Sequence, residues 1–220
     1  MTFHIITIFP GIFTSYFNES ILKRAQQKKI LKINVHNLRD WSADKHHRVD
    51  DRPYGGGAGM LLMAEPIMRA VKTIRSKVKD KKLKVVLLSA KGKKWTQTMA
   101  KRYAKSENVI LICGRYEGVD ERVKKVVDEE ISIGDYVLTG GEIGAMAIVD
   151  SVARLLPGVL GNEDSAVFES HAQPGVLEHP HYTRPEVLEI AGKNYRVPKV
   201  LLSGNHEKIE KWRKLKSKKV

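Results

Sequence analysis

Apolar runs and helix-period segments alternate along this 220-residue chain, and that alternation indicates its class before any motif is considered. Phe3–Ile8, Leu31–Val35, Leu83–Ser89, Val109–Cys113 and Glu130–Ile133 read as strands. Several are almost wholly apolar, the pattern of strands covered on both faces. Between them, apolar residues recur every three or four positions. Ile12, Tyr16, Ile21 and Ala25 mark one helix, and a second opens at Pro66 and continues through Ile67, Val71 and Ile74. Proline is tolerated there because the first-turn N–H groups have no partner inside the helix. Trp95, Met99 and Tyr103 follow at intervals of four, and Ile143, Met146, Val149 and Ala153 line a further helix that must end before Pro157-Gly158. Strands interleaved with helices predict an α/β domain with a mostly parallel sheet and helices on both faces.

The texture changes after Gly161. Residues 162–175 are polar and aperiodic, with Ser165, Ser170, Gln173 and Pro174, and read as a linker. Beyond them Pro180, Pro185 and Pro198 punctuate a small, mainly helical C-terminal domain over 176–220. It closes on a helix capped by Asn205 with Ile209, Trp212 and Leu215 on one face. The expected organisation is therefore a domain over 1–161, a linker over 162–175 and a short basic domain.

Charge narrows the function. Lys and Arg number 39 against 25 Asp and Glu, a net +14, which favours a polyanionic partner such as nucleic acid. Residues 191–220 hold ten Lys or Arg and two Glu, which is eight of that fourteen. A second basic run, Lys72 to Lys84, reads as a solvated helix face and its exit loop. Cys113 is the single cysteine, so neither an internal disulfide nor a cysteine-based zinc site is available, and a reducing compartment is expected. No run approaches the roughly 18 apolar residues of a membrane span, and the expectation is a soluble, cytoplasmic protein without a membrane partner.

Several chemistries lack their motifs. There is no GxxxxGK[ST] and no GxSxG. The cluster Gly55-Gly56-Gly57-Ala58-Gly59 lacks GxGxxG spacing and follows Arg52-Pro53-Tyr54 instead of a strand. His46-His47 lies among Asp44, Asp50 and Asp51, but neighbouring side chains in an extended chain point apart, and no metal site is assigned.

Three segments do carry chemistry. In DDRPYGGGAGM (Asp50–Met60), four glycines expose backbone N–H groups and admit close approach, Arg48 and Arg52 offer phosphate contacts, and Tyr54 offers a stacking face. A flexible connector is the competing reading. In CGRYEGVDER (Cys113–Arg122), Gly114 directly follows a buried strand, where α/β proteins place ligand loops; Gly114 and Gly118 permit positive φ, and Glu117 can accept from ligand hydroxyls. In EEISIGDYVLTGGE (Glu129–Glu142), a glycine-punctuated loop offers free backbone groups to a flat heterocycle, with Ile133, Tyr136 and Leu138 as apolar walls.

These segments, with VLLSAKG (Val86–Gly92), DSVARLLPGVLG (Asp150–Gly161), HPHYTRPEV (His179–Val187) and VLLSGNHEKIEKWR (Val200–Arg213), resemble the bacterial tRNA (guanine-N1)-methyltransferases, a family of the SPOUT class. The resemblance runs from Ile8-Phe9-Pro10 to Arg213. It implies a deep C-terminal trefoil knot in the sheet domain, which no periodicity foretells because knots are nearly absent from proteins. It implies a homodimer whose sites use both subunits, S-adenosylmethionine as methyl donor, and tRNA as partner. The expected reaction methylates ring nitrogen 1 of guanosine at position 37, preceded by another guanosine, and so maintains the reading frame.

The resemblance also assigns residues. Leu88, Ser89 and Ala90 bound the donor on one side, and Gly114 and Glu117 on a second. Ser132, Ile133, Gly134, Asp135, Tyr136, Val137, Leu138, Gly140 and Gly141 form the third. Contacts to tRNA fall to Asp50, Arg52, Tyr54, Gly55, Gly56, Gly57 and Gly59, to Arg115, and to His181 and Arg184. Glu169 matches the family's catalytic carboxylate and Arg154 its functional arginine. The chemistry asks for both. Ring nitrogen 1 of guanine carries a proton that a base must remove, and the charge that develops on the exocyclic oxygen needs a positive partner. Members are associated with Mg²⁺, although no ligand cluster here demands it. The chain departs from the family in having Ala90 where Pro is usual and Glu169 where Asp is common, and in its shorter C-terminal domain. A non-catalytic or differently targeted SPOUT RNA-binding protein is the competing reading. Retention of Arg154, a carboxylate at 169 and the Gly134–Gly141 loop argues against it.

Overall fold

The computed structural model describes residues 1–78, 82–161 and 169–219. The chain divides into two compact units, Met1–Gly161 and Asn162–Val220. In the first, β1 (Thr2–Thr7) leads through a 3₁₀ turn to α1 (Phe13–Phe17), α2 (Ser20–Gln27) and β2 (Lys32–Asn37). A small hairpin of β3 (Asp50–Asp51) and β4 (Leu61–Leu62) precedes α3 (Ala64–Lys77), β5 (Lys84–Lys94), α4 (Gln97–Tyr103) and β6 (Asn108–Cys113). A 3₁₀ segment, Glu121–Val126, then leads to β7 (Glu129–Ser132) and α5 (Glu142–Ala153).

The five long strands form one parallel sheet in the order β2-β1-β6-β5-β7. Alternation along each strand divides the core between its two faces. Val109, Leu111 and Cys113 of β6 join Phe3, Ile5, Val86 and the helices α1, α2, α4 and α5. Ile110 and Ile112 join Ile6, Val85, Leu87 and α3. Helices thus cover both faces, as the run pattern predicts.

Three local expectations need correction. The single helix expected over Ile12–Ala25 is two helices with a break at Asn18-Glu19, which shifts the phase: Phe13, Phe17, Leu22 and Ala25 are buried, whereas Ile12 and Tyr16 are exposed. In α5 the buried face is Ala145, Ile148, Val149, Val152 and Ala153, and Ile143 is exposed. Strand β5 runs five residues past Ser89. Its register with β7 shifts between Leu88 and Lys93, so the backbone over 89–92 bulges from the sheet. Gly92 permits this, because a Cβ there would sit 2.4 Å from the Ile131 nitrogen.

Of the expected linker, residues 162–168 lie outside the described residues, as do Lys79, Asp80 and Lys81 of the basic run. The described part of the second unit is mixed, not mainly helical. β8 (Val176–Leu177) pairs with β11 (Lys218–Lys219), and β9 (Val187–Ile190) pairs with β10 (Lys193–Arg196). Ala191 and Gly192, both at positive φ, make the two-residue turn of that hairpin. The helices are α6 (Lys199–Leu202) and α7 (His206–Lys216), the latter capped as expected by Asn205, whose Oδ1 accepts from the Lys208 N–H at 3.0 Å.

Candidate active site

A cleft of about 280 Å³ opens at the bulge of β5 and the C-terminal ends of β6 and β7, the edge at which parallel sheets leave ligand-binding loops. Leu88, Ser89 and Ala90 line it from the β5 bulge, and Gly114 and Glu117 from the turn after β6. The loop from β7 to α5 contributes Ser132, Ile133, Gly134, Tyr136, Val137, Leu138, Gly140 and Gly141. Segments more than forty residues apart in sequence therefore converge on one cavity. Asp135 is the exception among the residues assigned to the donor: it turns outward and pairs with Lys94.

Close approach sets the glycines. The Gly141 N–H donates to the Gly114 carbonyl at 2.9 Å, and a Cβ on Gly141 would lie 2.8 Å from Cys113 Cα and 2.9 Å from Leu88 Cβ. Gly114 is held less tightly: a Cβ there would lie 3.3 Å from the Leu88 carbonyl oxygen, and its φ is not the positive value that its sequence context permits. The positive φ values in this turn belong to Tyr116 and Gly118. Ser132 holds the start of the third loop, its Oγ donating to the Gly134 carbonyl at 2.8 Å.

The glycine-rich loop is tied to this cleft. It spans the β3–β4 hairpin, with Gly55, Gly56, Gly57 and Gly59 all at positive φ and Tyr54 fully exposed. The Glu117 N–H donates to the Met60 carbonyl at 3.1 Å and the Leu62 N–H to the Gly118 carbonyl at 3.0 Å. Glu117 packs its side chain directly on Gly59. The segments assigned to RNA and to the methyl donor are thus physically joined.

Sequence reasoning missed a charged latch behind the cleft. Glu142, only 2% exposed, accepts from Thr7 Oγ1 at 2.7 Å and from Arg115 Nε at 3.0 Å. Arg115, assigned to tRNA, lines the cleft, with its guanidinium 4.7 Å above the centre of the Phe9 ring. A carboxylate opening an apolar helix after Gly-Gly reads as an ordinary first-turn acid favoured by the helix dipole. The one hint is that no other charge occurs before Asp150. Gly144 also lines the cleft, and its Cβ would meet Leu88 at 3.1 Å. Burial, with the charge of Glu142 in support, pushes the Cys113 thiol well up, so the thiol beside this cleft is protonated and no nucleophile.

Arg154 caps the end of α5, its N–H donating to the Asp150 carbonyl at 3.2 Å. The Asp150 carboxylate accepts from the Tyr16 hydroxyl, which raises that phenol to about 12. Glu169 belongs to the second unit, where its carbonyl accepts from the Ala172 N–H. His181 in that unit lies 3.3 Å from Glu178, its neighbour His179 leans on the Trp212 ring, and Arg184 precedes Pro185. Among the described residues no group of three His, Cys, Asp or Glu is placed to hold a metal ion, and no helix is long and apolar enough to cross a membrane.

The whole chain, residues 1–220, matches the family described as tRNA (Guanine-1)-methyltransferase TrmD. It is similar to the tRNA (guanine-N(1)-)-methyltransferase of Dictyoglomus turgidum, with 54% identity over 96% of this chain and 82% of the relative. The Dehalococcoides mccartyi protein of the same name is 50% identical over 99% and 86%. Among solved structures, a tRNA (m1G37) methyltransferase from Aquifex aeolicus aligns with a TM-score of 0.78 and 42% identity, over 96% of this chain and 87% of that one.

Proposed function

The chain belongs to the tRNA (guanine-1)-methyltransferase family, and from that premise we propose that it methylates ring nitrogen 1 of guanosine 37 in tRNA with S-adenosylmethionine as donor. The observation that carries this reading is the cleft at the β5 bulge and the ends of β6 and β7, which gathers three separate segments around one cavity. Its residues suit the donor. Leu88, Ile133 and Leu138 offer apolar walls for a purine, and the approach of Gly141 to Gly114 leaves backbone where a side chain would fill the space. A trefoil knot in this part of the sheet domain is the arrangement that would hold such loops together.

When bound, the donor supplies a methyl group on a sulfonium, and its S–C bond breaks with the electron pair left on sulfur as the new N–C bond forms. Glu169 takes the proton from ring nitrogen 1, which frees the lone pair for attack. Arg154 stabilises the negative charge that develops on the exocyclic oxygen. Glu117 binds donor hydroxyls from the floor of the cleft. Asp50, Arg52, Tyr54, the Gly55–Gly59 loop, Arg115, His181 and Arg184 hold the RNA, with the base splayed out of the anticodon loop.

The unit that acts is a homodimer in the cytoplasm, where Cys113 stays reduced. In support, α1 and α5, which pack together, leave Tyr16 and Ile143 exposed, and Ile12 in the 3₁₀ turn before α1 is exposed as well. The decisive experiment supplies labelled donor with tRNA transcripts carrying guanosine or adenosine at position 37, followed by nucleoside mass analysis. 1-Methylguanosine from the first transcript alone is expected. Transfer to neither, or equally to both, would overturn the reading.

A further inference from the structure

The first unit also holds a groove of about 1130 Å³, larger than the donor cleft and bounded by the β3–β4 hairpin, α3 and the 3₁₀ segment Glu121–Val126. Two features set its chemistry. Its floor is apolar: Leu62 and Val71 are buried, and Met63, Met68 and Val126 are half-buried beside them. Its rim is cationic. On α3 the positions 65, 69, 72 and 75 fall on one face at spacings of three and four, and present Arg69, Lys72 and Arg75 to the groove. Opposite them, a 3₁₀ helix eclipses residues three apart, so Arg122 and Lys125 point the same way. Arg52 completes the rim from the hairpin.

The acids of the groove do not cancel this charge. Glu65 pairs with Arg69 at 2.6 Å, and Asp120 pairs with Arg122 at 2.6 Å. Asp51 accepts from the Arg52 backbone N–H. Arg75 reaches Asp128 at 3.7 Å. Among the described residues, Arg52, Lys72 and Lys125 make no ion pair, so three positive charges surround an apolar trough. Burying apolar surface while leaving unpaired cations around it suits a ligand with a flat apolar body and anionic flanks. A nucleotide in an unpaired stretch of RNA has that composition, with its base for the trough and its phosphates for the rim. An acidic peptide would match the rim but not fill the floor.

We propose that this groove is a second RNA-binding surface, which seats an unpaired nucleotide of the substrate other than the methylated guanosine and engages its phosphates through Lys72, Lys125 and Arg52. The proposal rests on the reading of the protein as a tRNA-modifying enzyme. It gives a role to the basic run beginning at Lys72, which sequence alone reads as a solvated face. It also explains why the glycine-rich hairpin has the donor turn on one side and a cationic trough on the other: RNA held in the groove lies against the same hairpin that packs on Glu117.

The test measures binding of an unmodified tRNA transcript over a range of salt, with the wild type, a Lys72→Gln/Lys125→Gln double variant, and Met68→Ala. The lysines are exposed, and melting curves verify that the variants fold. Two lost phosphate contacts should weaken binding about tenfold near physiological salt and make the log–log salt dependence shallower by roughly 0.7–0.9 per lysine. Met68→Ala should weaken binding with the wild-type salt slope, because it removes floor and no charge. The KM for tRNA should rise in each variant while donor affinity stays as in the wild type. Wild-type affinity and slope in the double variant would overturn the proposal, and so would unchanged tRNA binding accompanied by loss of binding to polyglutamate, which would assign the groove to an acidic protein. Absence of methyl transfer by the wild type would instead sink the functional reading itself, so the two failures are distinguishable.

Discussion

Arg115 and Glu142 lie 27 residues apart and meet with Nε 3.0 Å from Oε2, joining the turn after β6 to the first residue of α5. The pair closes a ring already begun by the Gly141 N–H bond to the Gly114 carbonyl, and Thr7 at the end of β1 holds the second carboxylate oxygen. Two strand ends and a helix start are thereby fixed around the proposed donor cleft by one buried carboxylate.

The two halves of this pair should respond differently to removal. Arg115→Ala leaves the Glu142 charge buried without its cation and should cost about 3 kcal/mol of stability. Glu142→Ala should cost less, because Arg115 is nearer solvent and can turn outward. An Arg115→Met/Glu142→Leu double variant should recover part of the loss. Donor affinity should fall in all three, since the loops lose their tie. Denaturant unfolding and donor titration check this, and equal stability loss in the two single variants would refute the asymmetry.

Catalysis should separate from donor binding at the two proposed chemical groups. Glu169→Gln keeps the size of the side chain but cannot accept the proton, and Arg154→Ala removes the charge partner of the oxygen. Each should lower kcat by at least about 100-fold, the usual contribution of a positioned acid–base or oxyanion group. Single-turnover assays with saturating donor read the loss directly, and donor affinity by calorimetry should stay within a few-fold of wild type. Near-normal turnover in either variant removes that residue from the mechanism.

How far the sequence led can be judged at individual residues. Strand positions were legible because period-two alternation and fully apolar runs report burial directly, and all five long strands match to within a few residues save the far end of β5. That extension escaped because it depends on Gly92 lying against the Ile131 backbone, a relation between distant segments. The break between α1 and α2 escaped because Ile12 and Tyr16 continue a helical period by chance. Loop residues of the cleft were legible through glycine spacing and family resemblance. Glu142 was not, since its partners Thr7 and Arg115 lie 135 and 27 residues away. The β9–β10 hairpin also went unread, because Ala191-Gly192 is a poor advertisement for a turn that needs positive φ twice.

Close backbone approach makes a further prediction. Gly141→Ala places a methyl 2.8 Å from Cys113 Cα, where the buried strand end cannot yield cheaply, and should cost about 1–3 kcal/mol and weaken donor binding. Gly161→Ala meets nothing within 4 Å among the described residues and should change neither. Thermal melting with and without donor compares the two; equal, small effects would show that the cleft tolerates a displaced loop.

Acid should act on the first unit through a histidine pair remote from the cleft. His4 on β1 and His36 on β2 stack with ring centres 5.4 Å apart and share a hydrogen bond of 3.1 Å, which requires one neutral acceptor nitrogen. Burial lowers both; the His36 and Lys32 charges add to it at His4, which falls to about 4, and Lys77 adds to it at His36, against Asp40. A histidine whose folded value lies below its unfolded one binds protons more readily when unfolded, so the pair's contribution is intact above about pH 6.5 and shrinks as pH falls toward about 4. Melting temperature should therefore drop through that window more steeply in the wild type than in a His4→Phe/His36→Phe variant, in which the stacked rings persist without a titrating nitrogen. Carboxylates titrate at the lower end in both proteins and cancel in the comparison. Identical slopes between pH 6.5 and 5 would mean that the pair does not govern acid stability.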